Sequence, residues 1–190
     1  MNKGRLEAFS DGVIAVIITI MVLELKAPHG TELSELVPLW PTFLTYILSF
    51  VYVGIYWVNH HHFFQAVKHV TGGMLWANNL LLFCLSLIPF TTAWMGENHF
   101  AAVPVALYGV NLLACAISYT VGTVVCLRSH GPESDIAKAI GSDRKGKISL
   151  VAYIISVPLA FISPMISCGL FAAVALIWFV PDKRIERIIG

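Results

Sequence analysis

Apolar runs of membrane-spanning length dominate this chain. A spanning helix needs about 20 mainly apolar residues, and six runs qualify: about 6–25, 36–59, 75–95, 102–127, 148–163 and 164–180. The last two share one apolar block broken by Pro158 and Pro164, with Pro164 the natural turn. Each of these two would be short, roughly 16 residues, near the lower limit for a span. One long tilted span over 148–180 is the alternative. The runs do not alternate polar and apolar residues, so a barrel is excluded. Charged residues make up only 12% of the 190, and hydrophobic ones 57%. That leaves too little polar sequence to cover a globule. A disordered chain, an ordinary soluble enzyme and a nucleic-acid binder with a basic face are all ruled out. The expectation is an all-α polytopic membrane protein, a single domain over 1–190 whose surroundings are the lipid bilayer.

Positive charge orients the spans. With six of them, Lys3, Arg5, Lys68, Arg128, Lys138, Arg144, Lys145, Lys147, Lys183, Arg184 and Arg187 fall on one side, and only Lys26 on the other. A count of 11 against 1 puts both termini in the cytoplasm of a multi-pass cell-membrane protein. It also favours an even number of spans. The N-terminal run continues too far for a cleaved leader and lacks a small-residue cleavage site. The connector 129–147 mixes Gly, Ser, Asp and Lys and reads as a solvated segment.

Catalysis finds no support. HExxH, GxSxG and Walker-type motifs are absent. Cys84, Cys115, Cys126 and Cys168 all lie in apolar runs without CxxC spacing, the setting of small buried hydrophobes rather than a disulfide framework or zinc site. Neither a cofactor nor a resident metal is expected. His60, His61 and His62 are adjacent, and neighbours on a helix differ by about 100°, so the three cannot face one metal. A pH-responsive role and a merely interfacial cluster are both compatible with the run.

Ionisable and polar groups inside spans are costly and are functional candidates. The first span carries Arg5, Ser10, Asp11 and Glu24; the second ends in Trp57, Asn59 and His60; the third begins with Trp76, Asn78 and Asn79. In the orientation set by charge, these first-span starts and second-span ends share a layer near the inner boundary. A network of Arg5, Ser10, Asp11, Trp57, Asn59, His60 and Asn78 there would hold three helix ends together, with Asp11 turned into the bundle. At about 100° per residue, Gly12, Val16, Thr19, Ile20 and Leu23 cluster within about 60° of Arg5, whereas Asp11 lies near 240°. The stripe is apolar apart from one hydroxyl. Taken alone it is a surface for lipid or for another helix. A secondary transporter of a small cation or a proton-coupled solute is the alternative to a channel. It would want a broken helix at mid-membrane, and no Gly or Pro break is expected in the middle of the first three spans.

Arg5-Leu6-Glu7-Ala8-Phe9-Ser10-Asp11 fits an RxxxFSD signature, and residues 12–25 follow as GVxAxxxTxxVLxL. Trp57-Val58-Asn59-His60, then Asn78 and Asn79, then Leu87-Ile88-Pro89-Phe90 continue the pattern. With these motifs the chain resembles a prokaryotic member of the lysosomal potassium channel family, transmembrane protein 175. Motifs carry the resemblance over roughly the first half; the second half agrees in span number and hydropathy. The resemblance implies a potassium-permeable channel without a TVGYG filter, built as a homotetramer with the first helix around a central pore. It implies a constriction drawn from Val16, Ile20 and Leu23 with Thr19 beside them. It also implies that the signature residues Arg5, Phe9, Ser10 and Asp11, with Trp57 and His60, support the bundle. Potassium ions would be the permeant partner.

Overall fold

The structure, a computed structural model, describes residues 2–131, 133–141 and 143–179. The basic residues Lys183, Arg184 and Arg187 and the end of the last expected span lie outside the described residues. All regular structure among the described residues is helical: α1 Lys3–Leu23, α2 Trp40–Ala66, α3 Gly72–Ser86, α4 Ile88–Glu97, α5 Ala102–His130, α6 Asp135–Ile140, α7 Arg144–Leu159 and α8 Pro164–Phe179, with a 3-10 segment Leu33–Leu39 before α2. Among the described residues four stretches are long and apolar enough to cross a bilayer: Lys3–Leu23, Leu33–Ala66, Gly72–Glu97 and Ala102–His130. The last apolar block forms two shorter helices instead. α7 and α8 have 16 residues each, about 24 Å at 1.5 Å per residue.

Helix ends follow local chemistry. The Asn2 side chain accepts from Gly4 N at 3.1 Å and caps α1. Pro41 sits in the first turn of α2, where its missing N–H costs nothing. Thr71 caps α3 through Met74 N. Between Leu159 and Pro164 the chain reverses. Ser167 Oγ donates to Ser156 O at 2.8 Å and Trp178 Nε1 donates to Ser149 Oγ at 2.8 Å, a pairing in which α8 runs back along α7.

One expectation fails at the third span. It is not continuous: α3 stops at Ser86 and α4 starts at Ile88, because Pro89 offers no N–H to the preceding turn. Asn111 of α5 fills the gap. In the orientation that satisfies its neighbours, its amide nitrogen donates to Cys84 O at 3.0 Å. Its oxygen accepts from Ile88 N and Thr91 Oγ1, both at 3.2 Å. The break is therefore stitched internally by Asn111.

Packing places α3 and α7 against α5, α4 against α2, and α8 against α7. α1 lies on the outside of this group, in contact with α2, α3 and α4. Ile14, Ile17 and Met21 of α1 bury against Val53, Leu81, Leu85 and Ile88. A second core joins Tyr52, Met95, Tyr108, Leu112 and Phe171, and a third joins Leu6, Phe63, Phe64, Met74 and Ile136. Gly96 makes the α2–α4 approach possible, since a Cβ there would lie 2.6 Å from Thr45 Oγ1 and 2.8 Å from Thr42 Cα.

Candidate functional site

α1 divides into two faces. Leu6, Ser10, Ile14, Ile17 and Met21 are buried against the bundle. Turned from it, Val16 is 54%, Ile20 41% and Leu23 77% exposed. Gly12 and Thr19 are exposed as well. Phe9, Gly12, Val16 and Ile20 form one wall of a groove of about 840 Å³ whose other wall is Pro89 and Phe90 of the α3–α4 span. Thr19 Oγ1 donates to Val16 O at 2.9 Å, which spends its proton on its own helix and leaves the oxygen lone pairs outward. The face thus offers apolar side chains and one acceptor oxygen.

At the N-terminal end of α1 the polar residues divide into a buried relay and a surface pair. Ser10, Asn78 and His60 are 0%, 5% and 3% exposed. Asn78 Nδ2 donates to Ser10 Oγ at 3.0 Å, and Ser10 Oγ donates onward to Leu6 O at 2.9 Å. That leaves the Asn78 oxygen as the acceptor, so His60 carries its proton on Nε2 and donates at 2.8 Å. The His60 ring packs on Phe64 with centroids 4.6 Å apart. Three helices are joined by three mutually hydrogen-bonded side chains, the condition under which a buried polar group is tolerated in an apolar surround.

Asp11 takes a different place from the one the sequence suggested. It is exposed and not turned into the bundle, and accepts from Trp57 Nε1 at 3.0 Å across the surface. Helical rotation explains this: the buried face centres on Ser10, Ile14 and Ile17, and Asp11 is one step of about 100° off it. Arg5 is exposed and its guanidinium is not bonded to Asp11, His60 or Asn78. Asn59 Nδ2 donates to Ile55 O of its own helix at 2.8 Å rather than to the relay. His61 stacks on Trp57 with centroids 6.2 Å apart and meets Gln65 Nε2 at 2.7 Å. Phe9 is exposed on the groove side, and Asn79 is exposed. Among the described residues no three His, Cys, Asp or Glu side chains converge as metal ligands would.

The other end of α1 is fastened from outside. Lys26 Nζ meets Glu97 Oε1 at 2.7 Å, joining the segment after α1 to the end of α4. The hydrogen bond that Lys26 donates to Glu97 holds its ammonium above its ordinary pKa.

Sequence reasoning missed a polar ladder on α2. Thr45, Ser49, Tyr52, Tyr56 and His60 recur at helical spacing, and that periodicity was the available signal. Thr92 Oγ1 donates to Ser49 Oγ at 2.6 Å, Ser49 meets the Tyr108 hydroxyl at 2.9 Å, and the Tyr52 hydroxyl donates to Phe171 O at 2.6 Å.

These elements define a multi-pass α-helical membrane protein whose first helix is secured by a buried polar relay and shows an apolar face outside its own bundle. The chain belongs to the TMEM175 family of potassium channels, a family of ion channels and not of enzymes. The family model described as endosomal/lysosomal potassium channel TMEM175 matches residues 5–89. A potassium channel from Chryseobacterium sp. is 55% identical over 98% of this chain and 97% of the relative. One from Chamaesiphon minutus is 33% identical over 92% of each. The crystal structure of a lysosomal potassium-selective channel homologue from Chamaesiphon minutus superposes with a TM-score of 0.83 at 31% identity. It covers 95% of this chain and 98% of that one.

Proposed function

We propose that this chain is a subunit of a homotetrameric, potassium-permeable channel in the cell membrane, with six spans and both termini in the cytoplasm. The carrying observation is the exposed face of α1, with Val16, Ile20 and Leu23 turned away from the helix's own bundle. Four copies around an axis would close those side chains into an apolar constriction that gates by dewetting. A bare cation cannot cross apolar surface without a large desolvation cost. Conduction therefore requires the ring to widen, and four Thr19 oxygens would replace part of the ion's hydration. The Ser10–Asn78–His60 relay fixes α1 at its signature end, so the constriction moves against a held base. Full-length identity to proteins named potassium channels supports the ion. The six spans follow from taking α7 and α8 as a short hairpin across the bilayer, and the orientation from the excess of positive charge on one side.

Potassium efflux from vesicles holding the purified protein tests this. The channel reading expects flux down a potassium gradient with no coupled solute, and altered flux when Val16, Ile20 or Leu23 is replaced by Ala. Flux that saturates and requires a counter-solute, or that ignores all three replacements, would overturn it.

A further inference from the structure

Away from the α1 face, α2, α5, α7 and α8 line a partly open cavity of about 50 Å³. Its walls are aromatic. Tyr56 and Tyr119 meet edge-on with centroids 6.3 Å apart, and Trp178 closes another side. Three other tyrosines of the bundle spend their hydroxyls internally: Tyr52 on Phe171 O at 2.6 Å, Tyr153 on Tyr52 at 3.2 Å, and Tyr108 with Ser49 at 2.9 Å. Tyr56 and Tyr119 do not. Neither hydroxyl bonds any described residue, yet no sealed side-chain polar atom among the described residues lacks a partner, so both hydroxyls open onto the cavity. Asn59 lines it too. Its nitrogen is committed to Ile55 O at 2.8 Å, which leaves the amide oxygen as an acceptor.

The charge in the lining is negative. Asp143 sits at the start of α7 with φ 37°, and its Oδ1 accepts from Gly146 N at 3.1 Å. Gly146, also in the lining, has no Cβ because one would collide with that carboxylate. Among the described residues no Lys or Arg lines the cavity. Lys145 stands nearby with its ammonium 5.7 Å from the Trp178 ring centre, so the same aromatic wall already attracts a cation from its other neighbours. Acceptor oxygens, π faces and one carboxylate suit a cation that can donate hydrogen bonds. Ile55 and Ala116 supply room for a methyl group. At about 10–15 Å³ of such volume per water, the space equals a few waters and excludes a lipid headgroup or a tetraalkylammonium ion.

We propose that this cavity is a binding site for a small primary ammonium ion, of ammonium or methylammonium size, held by Tyr56, Tyr119 and Asp143 and separate from the α1 face. The proposal does not depend on the channel reading.

Radiolabelled methylammonium binding to the purified full-length protein in detergent, at constant ionic strength, tests it. Saturable binding with one site per chain is expected. Asp143→Asn keeps the α7 cap, since Asn caps as well as Asp, and should weaken binding at least tenfold. The double variant Tyr56→Phe, Tyr119→Phe should weaken it about threefold or more, and Leu23→Ala should leave it unchanged. Elution volume on gel filtration confirms that each variant is folded. Sodium competing as well as ammonium would overturn the proposal, as would wild-type affinity in both cavity variants. Loss of binding in Leu23→Ala would place the site on the α1 face instead. Absence of saturable binding would equally defeat it.

Discussion

The two ends of α1 are held by opposite means. Its N-terminal end is tied through Ser10 to Asn78 and His60, all buried. Toward its C-terminal end Met21 packs in the core, and the polar tie among the described residues is the exposed Lys26–Glu97 pair. A buried, fully satisfied relay in an apolar surround is costly to break, because each group freed must stay desolvated. A surface ion pair exchanges its partner for water at little cost. The difference makes the signature end a fixed base and the far end, which carries Thr19, Ile20 and Leu23, the part free to adjust. Such a division suits a helix whose exposed stripe has to widen and narrow.

Breaking the base should have the largest effect. Asn78→Leu strands the His60 N–H and takes the donor from Ser10 Oγ, whose own proton stays on Leu6 O. Unfolding in detergent should show a loss of about 2 kcal/mol or more, with a weakened oligomer on gel filtration. If Asn78→Leu unfolds like the wild type, the relay is not what secures α1. Next comes the adjustable end. Leu23→Ala removes the most exposed apolar side chain of the stripe, so potassium flux should rise several-fold while the unfolding midpoint stays put. A fall in stability with unchanged flux would instead make Leu23 a packing residue. Asp11→Ala removes one exposed hydrogen bond from Trp57 and should cost no more than about 1 kcal/mol. A loss as large as that of Asn78→Leu would mean that Asp11 is buried in the assembly.

The smallest effect belongs to Lys26→Met, which should lower the melting temperature only slightly at neutral pH, because the pair is exposed. The sign of its pH dependence is fixed. Glu97 raises the Lys26 pKa in the folded state above the ordinary 10.5. Any stabilisation is then fully present below that pH and is lost as pH climbs through the folded value. A wild-type protein that loses stability relative to Lys26→Met only in strongly alkaline buffer fits this. A large difference at neutral pH would make the outer tie stronger than its exposure allows.

Much of this was legible from sequence because lipid imposes coarse rules. Helices were bound to form wherever the backbone lacked water, and Pro164 marked where the last apolar block reverses. Ser10, His60 and Asn78 stood out as polar residues in apolar runs and do meet. The rotation of Asp11 was harder to read. A residue one step from the buried face reaches a neighbour's surface rather than its core, and the indole of Trp57 was there to receive it. The stitched break at Leu87 escaped because Asn111 lies far along the chain. The tyrosine-lined cavity depends on four helices meeting, which no single-helix period reports.

The decisive measurement is cysteine accessibility during potassium flux. Leu23→Cys, Ile20→Cys and Val16→Cys are each exposed to a water-soluble cationic thiol reagent, with Ile154→Cys as control, since Ile154 is also exposed but sits on α7. With α1 around the conduit, the reagent should block flux in at least Leu23→Cys and leave Ile154→Cys conducting. Block at Ile154→Cys with the three α1 variants untouched would place the ion path elsewhere and contradict the account.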